Sequence, residues 1–164
     1  MQTNIHTSRL SLSALGLHDS SFIMELVNTD GWKQFIGERN VNSITDSEKY
    51  IQKILDSKTV QYWVVRLKET NTSIGIVTLI KRDYLDHHDI GFAFLPGYGK
   101  AGYALEAATT VLEMLMELPQ YQVIHATTLP DNVRSITLLE KLGLKLEKKI
   151  EVEKELLLLY TITK

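Results

Sequence analysis

Cysteine is absent from the 164 residues. That excludes a disulfide framework, a thiolate metal site and any covalent cysteine intermediate, and it fits a cytoplasmic protein. Proline is scarce at three residues, and no low-complexity tract, internal repeat or linker interrupts the chain. Neither sign of charge dominates. Eighteen basic and twenty acidic side chains leave a net charge of −2, which gives no strong attraction to nucleic acid or to an anionic membrane. Long apolar runs are missing too. The longest near the C-terminus, Leu156 to Tyr160, is far short of the roughly twenty residues that span a bilayer. The opening "MQTNIHTSRLSLSAL" shows no basic patch followed by an apolar stretch, so no signal peptide is expected.

What is present is an ordinary globular mixture, 44% hydrophobic and 23% charged, of a length that suits one domain over residues 1–164. "RLSLSAL" (9–15) alternates as a half-buried strand does. Asp19 is placed to cap a helix in which Phe22, Ile23, Leu26 and Val27 share one side. "TDSE" (45–48) has the spacing of a capping box and predicts a helix to about Leu55. "QYWVVRL" and "SIGIVTLI", joined by "KETNT", predict a hairpin, and "DIGFAFL" (89–95) a third strand halted by Pro96. Ala104, Ala108, Val111, Leu115 and Leu118 form the stripe of a long amphipathic helix. "QVIHATTL" reads as a strand. "PDNVRSITLLEKLG" reads as a helix with Asp131 or Asn132 as N-cap and Gly143 as its stop. The remainder, "LKLEKKIEVEKELLLLYTIT", reads as two strands around a charged turn. The expected fold is α+β: a mixed, mostly antiparallel sheet of about seven strands with helices on both faces.

Gly97, Gly99 and Gly102 spell G-x-G-x-x-G, but not in the setting of a dinucleotide fold. Such a fold opens with its glycine turn and places an acid about twenty residues on. Here the turn follows ninety residues of other structure, and Gln122 stands where the acid is needed. The glycines instead join a strand directly to the small-residue start of a helix, "AGYALEA". Free backbone N–H groups there, the positive end of the helix dipole and the nearby Lys100 suit a phosphate-bearing ligand at residues 99–104.

"IGFAFLPGYGKAGYALEA" followed by "NVRSITLLEKLGLKLE" (132–147) resembles the GNAT superfamily of N-acetyltransferases, and within it the ribosomal-protein alanine/serine N-acetyltransferases. The resemblance covers residues 89–144 in motif and about 8–162 in element order. It implies a splay between the fourth and fifth strands that receives acetyl-CoA. It also implies that Gly99, Lys100, Ala101, Gly102, Tyr103 and Ala104 hold the coenzyme A pyrophosphate, mostly through backbone N–H groups. Gly99 departs from the usual Gln or Arg. Phe94 and Leu95 match the strand end that aligns the pantetheine, and Asn132 matches an asparagine that bonds the pantetheine arm while also able to cap its own helix.

Amine acetylation needs a neutral amine, a donor for developing charge and a proton for the departing thiolate. Leu139 stands where many members of the superfamily carry a proton-donating tyrosine. Ser135 matches the serine that the ribosomal-protein branch uses in that role. Asp89 matches an acidic position, and His125 stands where relatives often carry glutamate and titrates in a useful range. Each also has a plain structural role: a helix serine, a solvated strand end and a hydrogen-bonded core histidine. No metal is expected. His87 and His88 are adjacent on a strand and diverge, and the alternating charges after Glu147 suit a solvated hairpin. The implied partners are acetyl-CoA and an amine acceptor, either a peptide N-terminus or a small amine, with no nucleic acid or membrane and with a monomer or homodimer equally open. A coenzyme-A-binding or regulatory domain without turnover is the alternative from a different class.

Overall fold

The computed structural model describes residues 4–99 and 101–164. Eight strands lie in one sheet in the order β1-β2-β3-β4-β5-β6-β8-β7. They are β1 (Asn4–His6), β2 (Leu10–Ala14), β3 (Val60–Leu67), β4 (Ser73–Ile80), β5 (Asp89–Phe94), β6 (Val123–Thr128), β7 (Lys145–Val152) and β8 (Glu155–Thr163). Every neighbouring pair is antiparallel except β5 and β6. The strand beyond the expected seven is β1, three residues too short to show a sequence period, held by pairing with β2. With β1 counted, the parallel pair comprises the fifth and sixth strands.

The helices are α1 (Ser20–Val27), α2 (Asp30–Phe35), α3 (Ile44–Asp56), α4 (Tyr103–Met116) and α5 (Val133–Lys141). They divide between the two faces of the sheet. On one face Ile23, Leu26, Trp32, Ile51 and Ile54 from α1–α3 pack against Val64 and Ile76. On the other, Ala107, Val111, Leu112 and Leu115 of α4 and Leu139 of α5 pack against Trp63, Val77, Ile90 and Ile124. Strand β4 lies between the two layers and is buried on both faces. Each valine, leucine or isoleucine among them contributes about 1.5–3 kcal/mol when fully buried.

Two helix starts differ from expectation. Asp19 precedes α1 but makes no side-chain cap. Its buried carboxylate accepts from Arg66 at 2.5 Å and from the Gly16 N–H at 2.9 Å. Helix α3 begins earlier than Thr45 because the Ser43 hydroxyl accepts the Asp46 N–H at 3.0 Å. Ser43–Asp46 has the same three-residue spacing as Thr45–Glu48, and the upstream pair takes the cap. The first parallel connection runs from β5 through α4 to β6, and α5 follows β6 directly. Both α4 and α5 therefore start at the carboxyl ends of the parallel strands, where open sheets bind ligands.

Candidate active site

Strands β5 and β6 are joined by one bridge, Asp89 opposite His125, where the His125 N–H donates to the His88 carbonyl at 2.9 Å. Beyond that bridge the strands part. At that bridge stands Asp89, which is 4% exposed. Its carboxylate accepts from Arg82 Nε at 2.6 Å and from Thr127 Oγ1 at 3.3 Å, so a side chain stands where a strand-to-strand bond would continue. Burial pushes the Asp89 carboxyl above its ordinary range, against the opposing pull of Arg82 and of the Thr127 hydroxyl and backbone N–H. Burial works against the charge of Arg82, yet Asp89 holds that guanidinium above its ordinary value. Asp89 is thus a buried carboxylate paired with a half-buried guanidinium at the root of the splay rather than a solvated strand end.

His125 lies on the same face of β6 as Thr127. It is buried, and its Nδ1 lies 2.9 Å from Thr161 Oγ1. Burial lowers its pKa, with His87 adding to the effect, so the ring is neutral at pH 7. The His87 ring centroid is 5.2 Å away, whereas His88 meets Tyr121 edge-on at 5.1 Å, so the adjacent histidines diverge. Among the described residues no group of three or more His, Cys, Asp or Glu side chains could hold a metal ion.

The edge of β5 facing the splay follows from its bonding to β4. The Leu95 N–H donates to the Ile74 carbonyl at 2.8 Å, and the Leu95 carbonyl accepts from Tyr98 at 3.3 Å. The Leu95 N–H is thus turned towards β4, and its carbonyl accepts a bond from the turn that follows. Because strand bonds alternate sides, the N–H and C=O groups of Phe92 and Phe94 point towards β6. The Phe94 ring fills the space above Gly75, where an added Cβ would come within 2.4 Å of it. Gly91 lies on the other face, in a row with Tyr62 and Thr78, and the Thr78 hydroxyl stands 2.7 Å from where a Gly91 Cβ would sit.

The glycine turn continues from β5. Gly97 (φ +95°) and Gly102 (φ +79°) adopt the left-handed conformation that favours glycine. Gly102 is the N-cap of α4 and offers no side-chain cap, whereas Thr29, Ser43 and Asn132 cap α2, α3 and α5 with side-chain oxygens. The first N–H groups of α4, from Tyr103, Ala104 and Leu105, are therefore left for another acceptor. Ala101 is exposed and Ala104 half-buried, so small side chains border this end. Lys100 lies outside the described residues. The Tyr103 ring packs against Arg9, 4.4 Å from its guanidinium carbon. An uncapped helix start with glycine at 99 and 102, beside a strand with outward-facing backbone groups, fits the diphosphate and pantetheine of coenzyme A.

Across the crevice, Asn132 Oδ1 accepts the Ser135 N–H at 3.3 Å, so the capping role is realised. No described residue bonds its amide nitrogen. Ser135 is half-buried one turn before Leu139, on the same helical face. Leu139 is 1% exposed and belongs to the core. Sequence reasoning missed Arg82, Thr127 and Phe92, which carry no motif, and Glu106, whose carboxylate ties α4 to the β1–β2 turn through Thr7, the Arg9 N–H at 3.0 Å and Arg9 Nε at 2.8 Å. A separate open cleft of about 460 Å³, lined by Ser21, Met24, Glu25, Asn28, Val41 and Asn42, lies on the face of α1 opposite its core residues and contains none of the splay residues.

The profile of the acetyltransferase (GNAT) domain matches residues 9–145. An uncharacterized N-acetyltransferase of Bacillus subtilis strain 168, YnaD, is 27% identical over 146 residues, 88% of this chain and 84% of the relative. The ribosomal-protein-S5-alanine acetyltransferase of Vibrio fischeri superposes with a TM-score of 0.83 at 16% identity, covering 99% of this chain and 97% of that one. The spermidine N-acetyltransferase of Vibrio cholerae, solved with coenzyme A and spermine, gives 0.81 at 21% identity, covering 96% of each chain. With its matched length, its sheet order and its single parallel opening, the chain belongs to the acetyltransferase (GNAT) domain family and is an N-acetyltransferase.

Proposed function

We propose that the protein transfers an acetyl group from acetyl-CoA directly to the α-amine of a protein or peptide N-terminus, as one domain over residues 1–164. The observation that carries the reading is the single-bridge opening between β5 and β6, with the uncapped α4 and the Ser135 turn of α5 at its carboxyl end. Acetyl-CoA supplies an activated acyl group. Backbone N–H groups of residues 99–104 hold its diphosphate, with Lys100 adding charge, and Phe92 and Phe94 bond the pantetheine along β5. The amide nitrogen of Asn132 steadies the same arm from α5.

The amine nitrogen bonds to the acetyl carbon as the carbon–sulfur bond breaks. One proton leaves the amine and one reaches the sulfur. Ser135 delivers the second from the face of α5 it shares with Leu139. Of the two candidate bases, His125 suits the first proton better, because its imidazole is neutral whereas Asp89 is committed to Arg82 and Thr127. His125 takes that proton through water, and Asp89 acts as a positioning residue that holds the strands apart.

The acceptor side is open rather than closed, which suits a flexible chain end. Tyr84 stands 44% exposed near Arg82, while Trp32 is buried and Tyr50 lies with its hydroxyl 3.3 Å from that of Tyr62. Incubation with acetyl-CoA and a mixed panel of peptides, internal lysines and polyamines, read by intact mass, tests the acceptor. The expected product carries acetyl on the peptide α-amine. Exclusive modification of polyamines or lysines would sink the peptide reading. The second reading, a coenzyme-A-binding or regulatory domain without turnover, draws on the fully buried Leu139 at a position where many members of the superfamily carry a phenol. It predicts that acetyl-CoA binds but that no free coenzyme A thiol is released with any amine present.

A further inference from the structure

We infer that Arg134 adds a cation from α5 to the grip on the coenzyme A diphosphate, beside Lys100, and takes over from the Gln or Arg that Gly99 replaces. The inference rests on the acetyl-CoA reading above. Arg134 is the second residue of α5, and its Nη1 lies 3.5 Å from where a Cβ on Gly99 would sit. A long side chain at position 99 would grow into the space the guanidinium now holds. Glycine there makes room for a cation that arrives from α5 instead of from the loop itself.

A second guanidinium borders the turn, and the contrast identifies which one is available. Arg9 Nη2 lies 3.6 Å from the Cβ position of Gly102. Its Nε bonds Glu106 at 2.8 Å and its carbon lies 4.4 Å from the Tyr103 ring centroid, so its charge is balanced and its plane is fixed. Arg134 is exposed and pairs with no acid among the described residues. Around the described part of the turn it is the cation whose charge is not already matched. A guanidinium presents parallel N–H donors that fit two oxygens of a phosphate, and such charge-assisted bonds are stronger than neutral ones. Arg134 therefore closes over the ligand from the α5 side while the first turn of α4 holds it from below.

The test is equilibrium binding of free coenzyme A, read by calorimetry, to the wild type and to Arg134→Gln, with the unliganded melting temperature as a check on folding. The substitution is expected to weaken binding about tenfold or more and to flatten the fall of affinity with added salt. Arg134→Lys should keep most of the salt dependence. Gly99→Arg placed in the Arg134→Gln protein should recover affinity. The same fold loss is expected with 3′-dephospho-coenzyme A, which retains the diphosphate. Equal affinities of wild type and Arg134→Gln for coenzyme A would overturn the inference and leave the acetyl-CoA reading standing. A loss that vanishes with 3′-dephospho-coenzyme A would assign the guanidinium to the 3′-phosphate and overturn it as well. A wild type that binds no coenzyme A would remove the acetyl-CoA reading itself.

Discussion

Ser135 and Leu139 stand one turn apart on a single face of α5, and only the serine has a proton to give. Leu139 is sealed in the core and has no proton to donate, and Ser135 is the group proposed above to supply one to the thiolate. Ser135→Ala removes the hydroxyl without touching the cap, because Asn132 bonds the backbone N–H of residue 135 rather than its side chain. The variant is expected to bind coenzyme A as the wild type does and to turn over about ten- to a thousandfold more slowly, the range of general acid–base catalysis. Steady-state thiol release and calorimetric binding measured side by side check it. Unchanged turnover with a lowered melting temperature would make Ser135 a helix residue only.

At the scale of elements, the start of α4 and the bridge between β5 and β6 carry different costs. Gly102 both caps α4 and turns left-handed, so Gly102→Ala adds strain as well as bulk. It should lower stability by about 1–2 kcal/mol, measured by denaturant unfolding, before any effect on ligand binding is counted. The bridge predicts a pH dependence. Burial lowers the pKa of His125 and also that of His88, from an ordinary value of 6.5. The unfolded chain then binds more protons than the native one as pH falls below about 6.5, and stability falls with it. Asp89 works in the opposite direction, since its raised pKa removes stability as pH rises above the ordinary carboxyl value of 3.8. Between pH 7.5 and 5.5, roughly the range around an imidazole pKa, the histidines lower stability as pH falls while the raised pKa of Asp89 opposes them. A variant at His125 isolates the histidine part. The melting temperature should drop across that interval, and His125→Asn should flatten the drop. An equal drop in the variant would remove His125 as its source.

Periodicity sufficed for the long elements. The stripe from Ala104 to Leu118 is α4, although the helix ends at Met116, and "QYWVVRL" with "SIGIVTLI" is the β3–β4 hairpin with its expected antiparallel pairing. Short pieces escaped, since β1 and α2 are held by neighbours rather than by a pattern of their own. The site divided in the same way. The glycine turn and Asn132 announce themselves because their chemistry is local. Phe92 and Leu95 could not be told apart, since that depends on which edge of β5 faces β4. Arg82 and Arg134 could not be placed at all, because their contacts with Asp89 and with the Gly99 turn join segments distant in sequence or set by the fold.

For the whole molecule, a net charge of −2 offers little long-range steering towards a basic partner. Glu38 is half-exposed and lies 3.6 Å from Lys33, which leaves it little free charge to attract a basic peptide. The common element of every reading above is one crevice that receives coenzyme A, with its diphosphate at α4 and its thiol near α5. A crystal structure of the protein grown with coenzyme A tests that claim most directly. The account predicts the diphosphate on the backbone N–H groups at the start of α4, the pantetheine bonded to Phe92 and Phe94 between β5 and β6, and the sulfur beside Ser135. Coenzyme A bound elsewhere, or density that bypasses the β5–β6 opening, would contradict it.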